Sequence, residues 1–264
     1  MRYPHLTQPP LVAIAHGSRD PRAGATITEL VGVARERAAV RGLAGLDIRA
    51  AFLDHAPPAP LQVLSALGGG AVVVLPLLLT AAYHSGTDIP GLLDDAQAAL
   101  PALRVRYGVP LGPHPGLLHA LDQRLAEAGQ DLAEAGQTSV VLAAAGSSHP
   151  AANAVIAQLA AQWQASRGWQ MVRPAFASAA SPTPEQAVAG LIRGGARRVV
   201  VASYLLAPGR FADQVAGRSL AAGAAAVSAP LGAAPDVADV LLDRYRQALA
   251  QVPRELCERQ VSVR

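Results

Sequence analysis

Val12-Ala13-Ile14-Ala15-His16-Gly17-Ser18-Arg19-Asp20-Pro21 returns in the second half of the chain as Val141-Leu142-Ala143-Ala144-Ala145-Gly146-Ser147-Ser148-His149-Pro150. Each copy is a short apolar run followed by glycine, small polar residues and proline, the pattern of a buried strand that ends in a turn and feeds a helix. Three more correspondences follow in the same order. Ile48-Arg49-Ala50-Ala51-Phe52 matches Val172-Arg173-Pro174-Ala175-Phe176, Ala71 to Leu75 matches Arg198 to Ala202, and Leu111-Gly112 before Pro115 matches Leu231-Gly232 before Pro235. Four ordered anchors read as an internal duplication.

Within the first copy, strand-like runs at 11–16, 47–53, 71–78 and 103–108 alternate with helical patterns, which makes βαβ units and a mostly parallel sheet flanked by helices. A helix over 22–40 carries Ile27, Leu30, Val31, Ala34 and Ala38 on one stripe, and a helix over 116–128 does the same with Leu117, Leu118, Leu121 and Leu125. The Ala/Gly-rich stretch Glu127 to Thr138 is the natural junction, giving two similar α/β domains, 1–136 and 137–264, with a tail over 253–264.

Composition narrows the class. The 264 residues are 51% hydrophobic and 16% charged, with a mean hydropathy of +0.26, which describes a compact globular chain. All 22 basic residues are arginine and the net charge is only +3, with no basic run interleaved with aromatics, so nucleic acid is not expected as a partner. The single cysteine, Cys257, forms no internal disulfide, and the longest apolar run, Ala71 to Leu79, is too short to span a bilayer. A cytoplasmic protein without membrane contact is expected. A fused pair of domains also removes the need for a homodimer, so the expected state is a monomer, with weak self-association left open.

Two histidines stand where strands should end: His16, and His84 in Leu77-Leu78-Leu79-Thr80-Ala81-Ala82-Tyr83-His84-Ser85-Gly86-Thr87-Asp88, where Thr87 or Asp88 can cap a helix before Pro90. In an open α/β sheet the carboxyl ends of the strands form the ligand crevice, so two imidazoles there can meet over one ligand. The second copy places Ala145, and approximately Phe211, at the matching positions, and neither binds metal. Asp54, beyond the second strand, is either a third ligand or a turn residue ahead of Pro57-Pro58; its counterpart is Ser178. Imidazole and carboxylate suit Fe, Co, Ni or Zn, and two or three protein ligands leave coordination positions open for exchange.

The His-Gly-Ser-Arg-Asp-Pro opening, Tyr83 to Pro90, and Leu-Gly-x-x-Pro at 111–115 resemble the class II tetrapyrrole chelatases, and among them the sirohydrochlorin cobalto- and ferrochelatases. Leu205-Leu206-Ala207-Pro208-Gly209 resembles the degenerate second half of their two-domain members. The resemblance implies two chelatase-like, flavodoxin-like domains. It also implies insertion of Co²⁺ or Fe²⁺ into sirohydrochlorin without ATP, in siroheme or cobalamin biosynthesis, with the divalent metal (Co²⁺, Fe²⁺ or Ni²⁺) as substrate and no cofactor.

On that resemblance His16 and His84 bind metal and assist loss of the pyrrolic protons, and Asp54 stands where the family commonly has Glu. Ala81-Ala82 replaces the usual Pro-Gly before Tyr-His. A neutral imidazole, with an ordinary pKa of about 6.5, accepts protons near neutral pH, but the sequence does not divide ligand from base between the two histidines. Ser18, Tyr83 and Ser85 beside them, with Arg19, Arg22 and Arg210 on strand-end loops, are the candidates for holding the carboxylated macrocycle.

Two other readings share some of these residues. A metal or tetrapyrrole carrier without turnover would use the same histidines. A histidine-phosphatase-like enzyme also places His-Gly after its first strand, but it requires an arginine immediately before that histidine, where this chain has Ala15.

Overall fold

A computed structural model describes residues 8–80 and 89–251. The first copy contains β1 (Leu11–Ala15), α1 (Pro21–Val40), β2 (Ile48–Phe52), α2 (Pro60–Ser65), β3 (Gly70–Pro76), α3 (Ile89–Ala99), β4 (Leu103–Tyr107) and α4 (Pro115–Glu127). After a 3-10 turn over Leu132–Gln137 the series repeats as β5 (Ser139–Ala144), α5 (Pro150–Arg167), β6 (Met171–Phe176), α6 (Pro184–Arg193), β7 (Val199–Tyr204), α7 (Arg210–Ala221), β8 (Ala226–Val227) and α8 (Pro235–Ala250). Both sheets are parallel and share one order, β2-β1-β3-β4 and β6-β5-β7-β8.

The repeat holds residue by residue. Val12 pairs with Val74 as Val141 pairs with Val201, and Ala15 faces Phe52 as Ala144 faces Phe176. Proline opens α1 and α5, since the first helical N–H has no intrahelical partner to lose. In α1 the preceding Asp20 caps the helix, its carboxylate accepting from the Arg22 amide at 3.0 Å. The expected stripe of Ile27, Leu30, Val31, Ala34 and Ala38 is the buried face of that helix.

Strand alternation divides the core into three. Leu11, Ala13, Val73 and Leu75 of the first sheet face a central layer, which Val140, Leu142, Ala202 and Tyr204 of the second sheet face from the other side. Val12, Ile14, Val72 and Val74 face outward under α2 and α3, and Val141, Ala143, Val199 and Val201 face outward under α6 and α7. The central layer holds α1, α4, α5 and α8, and the last helix of each copy crosses to the other copy's sheet. α8 packs on α1, β3 and β4, whereas α4 packs on β7 and α8. The Tyr245 hydroxyl on α8 donates to the Pro9 carbonyl at 2.8 Å, and Arg124 on α4 donates to the Leu231 carbonyl at 2.9 Å. One apolar cluster therefore spans both sheets, and neither copy has a complete core without the other's helix.

The exit of the third strand is held in the same way in both copies. Gly112 and Gly232 donate to the carbonyls of Leu78 and Leu206 at 3.1 and 2.8 Å, which aligns those leucines. Three residues separate Leu206 from Arg210, where α7 begins, and in the first copy the description stops at Thr80 and resumes within α3 at Ile89. Phe211 is the second residue of α7, and His84, its approximate counterpart in the sequence, lies outside the described residues.

Candidate active site

In a 2-1-3-4 parallel sheet the crossovers leave in opposite directions from β1 and β3, and the crevice beyond their carboxyl ends is the natural ligand position. His16 is the first residue past β1 and is exposed. Its carbonyl accepts from the Asp54 amide at 2.9 Å, and the Ala15 carbonyl accepts from Leu53 at 3.0 Å, so the first two strand ends stay in register past the sheet. On the other side of β1, Leu77 donates to Ile14 at 2.7 Å, so the chain leaving β3 departs beside His16. Tyr83, His84, Ser85 and the capping candidates Thr87 and Asp88 lie outside the described residues, which run to Thr80 and resume at Ile89.

Gly17 makes the close approach to Asp54 feasible. Its φ is +91°, and a Cβ there would stand 1.8 Å from the Asp54 carbonyl oxygen. The second copy keeps this architecture: Gly146 has φ +87°, its Cβ would stand 2.0 Å from the Ser178 oxygen, and the Ser178 amide donates to Ala145 at 2.9 Å. His55 and Ala179, the residues that follow, both take a left-handed φ, of 63° and 58°. The scaffold is thus duplicated, and the chemical groups His16 and Asp54 are present in one copy only.

Beyond the β1–α1 turn a cleft of about 510 Å³ opens between the copies, lined by Ser18, Arg19 and Asp20 from the first and Arg210, Asp213 and Gln214 from the second. Three of the residues expected at a substrate (Ser18, Arg19 and Arg210) therefore meet in one place. The Ser18 hydroxyl oxygen accepts from the Asp20 amide at 3.0 Å, which fixes the turn. Neither Arg19 nor Arg210 has an ion pair or side-chain hydrogen bond among the described residues.

Arg22 behaves differently. Its guanidinium reaches Asp20 and Asp213 at 2.6 Å each, bridging the N-terminus of α1 to the first turn of α7. Hydrogen bonding to Arg22 holds the Asp20 carboxyl below the usual range, and the two acids push the guanidinium above its own. Asp213 and Gln214 carried no signal in the sequence, because only the packing of α7 brings its first turn to the other copy's β1–α1 loop.

Among the described residues no three His, Cys, Asp or Glu side chains form a cage for a metal ion. His16 and Asp54 are both exposed at adjacent strand ends, joined through their backbones. No helix of the described residues is long and apolar enough to cross a membrane.

The family pattern designated CbiX matches residues 10–128 and again 139–248, covering both copies of the fold. The chain belongs to the CbiX family. The match of a CbiX pattern to each half is the duplication seen in the strands. Among curated relatives of this CbiX-family chain, a sirohydrochlorin cobaltochelatase of Priestia megaterium is 29% identical over 200 residues, which is 74% of this chain and 63% of that protein. A sirohydrochlorin ferrochelatase of Bacillus subtilis (strain 168) is 26% identical over 187 residues, 69% of this chain and 70% of that one. The chain thus spans somewhat less than two thirds of the Priestia relative. Of solved structures, SirB from Bacillus subtilis with Fe³⁺ superposes with a TM-score of 0.77 at 23% identity, covering 92% of this chain and 96% of SirB. CbiX described as the terminal enzyme for biosynthesis of siroheme in denitrifying bacteria superposes with a TM-score of 0.61 at 20% identity, covering 91% and 100%. These likenesses establish the two-domain chelatase fold.

Proposed function

We propose that this CbiX-family protein inserts Co²⁺ or Fe²⁺ into sirohydrochlorin without ATP or a cofactor, with the metal as substrate. The observation that carries this reading is the asymmetry of the duplicated strand ends. His16 and Asp54 occupy positions where the second copy, on the same backbone, has Ala145 and Ser178. A scaffold that keeps its shape in both copies but its donors in one has those donors for chemistry. The names of the curated relatives supply the substrate class.

The chemistry asks for two things. Two pyrrolic protons must leave as the divalent cation enters, so that each metal inserted releases two protons to acceptors. His16 is assigned as acceptor and ligand, with His84 as its partner on the resemblance of its motif and Asp54 adding a carboxylate at the edge. The flat macrocycle must also be held by its peripheral carboxylates, and Arg19, Arg210 and Ser18 stand at the cleft between copies, with Tyr83 and Ser85 assigned as further contacts on the resemblance of their motif. The units 1–136 and 137–264 are the duplicated pair, the first catalytic and the second a wall, and the fused pair works as a cytoplasmic monomer.

The deciding measurement is visible absorption of sirohydrochlorin mixed with Co²⁺, Fe²⁺ or Ni²⁺, with substoichiometric protein. Conversion of many equivalents per protein supports the enzyme. A spectral change that stops at one equivalent identifies a carrier and overturns the proposal.

A further inference from the structure

Four charged residues line the cleft between the copies, Arg19, Asp20, Arg210 and Asp213, and with Arg22, which reaches both aspartates, they make three arginines and two aspartates that are unevenly paired. Both aspartates belong to Arg22: its Nη2 reaches Asp20 and Asp213 at 2.6 Å each, its Nε lies 3.1 Å from both Asp20 oxygens, and its Nη1 lies 3.4 Å from Asp213. Arg19 and Arg210, which line the same cleft, have no acidic partner among the described residues. We propose that Arg22 neutralises the two acids of the cleft and so leaves Arg19 and Arg210 open to two carboxylates of one polycarboxylated macrocycle. This rests on reading the cleft as the substrate site, and it makes Arg22 a positioning residue where the sequence suggested a direct contact.

The physical reason is competition. A free carboxylate beside a guanidinium is its preferred partner, because the fork of N–H donors matches two oxygens, and an internal partner needs no loss of translational freedom to bind. Without Arg22, Asp20 and Asp213 would be free to pair with Arg19 and Arg210 and would repel an incoming carboxylate. With Arg22 in place the acids are saturated and the five groups sum to a single positive charge. The turn does not need Arg22 for its shape, since the Asp20 carboxylate also caps α1 through the Arg22 amide and Ser18 accepts from the Asp20 amide. The bridge is also exposed, so its loss costs little folding stability.

The test is titration of metal-free sirohydrochlorin, followed by absorbance at low and high salt, with wild type, Arg22→Ala, Asp213→Asn and the double variant, each checked for folding by circular dichroism. Arg22→Ala is expected to weaken binding about tenfold at low salt, with less effect at high salt where charges are screened. Asp213→Asn should bind at least as well as wild type. The double variant, which regains the wild-type charge balance, should return to within about threefold of wild type. Unchanged binding in Arg22→Ala, or a double variant as weak as Arg22→Ala, overturns this role while leaving the cleft as the substrate site. A wild-type protein that does not bind the macrocycle at either salt overturns both.

Discussion

The Asp54 amide donates to the His16 carbonyl at 2.9 Å, which locks the exit of β1 to the exit of β2 and fixes where both side chains leave the sheet. Because His16 and Asp54 are exposed, their substitution should alter chemistry without altering the fold. His16→Ala is expected to slow metal insertion by at least about a hundredfold and to weaken Co²⁺ binding measured by calorimetry, with melting unchanged to about 1–2 °C. Asp54→Ala should slow insertion by about tenfold, as a carboxylate at the edge of the donor set would. A His16→Ala protein with near-normal turnover would remove that residue from the site.

Gly17 and Gly146 give a paired control. Alanine at either must accept a left-handed φ and a Cβ about 2 Å from a carbonyl oxygen, of Asp54 or Ser178 respectively. Both variants should lose at least about 2 kcal/mol of stability, a melting shift of about 4–8 °C for a chain of this size. Only Gly17→Ala should also lose insertion activity per folded molecule. Equal loss of activity in both would contradict the division of labour between the copies.

Tyr204, at the end of β7, is buried and its hydroxyl donates to the Leu79 carbonyl at 3.1 Å, tying the second sheet to the chain leaving β3. Burial pushes its phenol up, so it stays a neutral donor at any working pH. Tyr204→Phe keeps the ring and removes the bond, and should lower stability by about 1 kcal/mol in urea unfolding. An unchanged midpoint would show that the carbonyl finds another donor.

His114 caps α4 with Nδ1 accepting from the Gly116 amide at 3.1 Å, which requires the neutral ring. Burial, with Arg244 nearby, lowers its pKa. The unfolded chain then binds more protons than the folded one below about pH 6.5, so this contribution is complete above that value and is lost as pH falls through the folded pKa. His114→Asn, which keeps a capping acceptor without a titrating group, should flatten stability against pH in that window, as read from urea midpoints at pH 5 and 7. A wild-type curve already flat there would exclude the effect.

The repeat was legible because strands buried on both faces are written as continuous apolar runs, and the stripe from Ile27 to Ala38 on α1 fell on its buried face. The His16 position was legible for the same reason, since a strand end followed by Gly17 has one reading. The match of His84 to Phe211 was legible only approximately, because counting from a strand does not fix where the next helix begins, whereas the Gly112 and Gly232 hydrogen bonds align Leu78 with Leu206 directly. Asp213 and Gln214 had no sequence signal, because a polar first turn looks the same whether it faces solvent or another loop.

By itself, the sequence determined the two parallel sheets, their shared order of elements, and the placing of a histidine and an aspartate at strand ends in one copy only, because hydrophobic periodicity and turn chemistry are local properties. Tertiary structure alone decided that α4 and α8 cross between copies, that Arg210 meets Ser18 and Arg19, and that Arg22 is taken up by Asp20 and Asp213. An apolar stripe says that a helix must be covered but not by which sheet, and the partner of a charge is settled by distance in space.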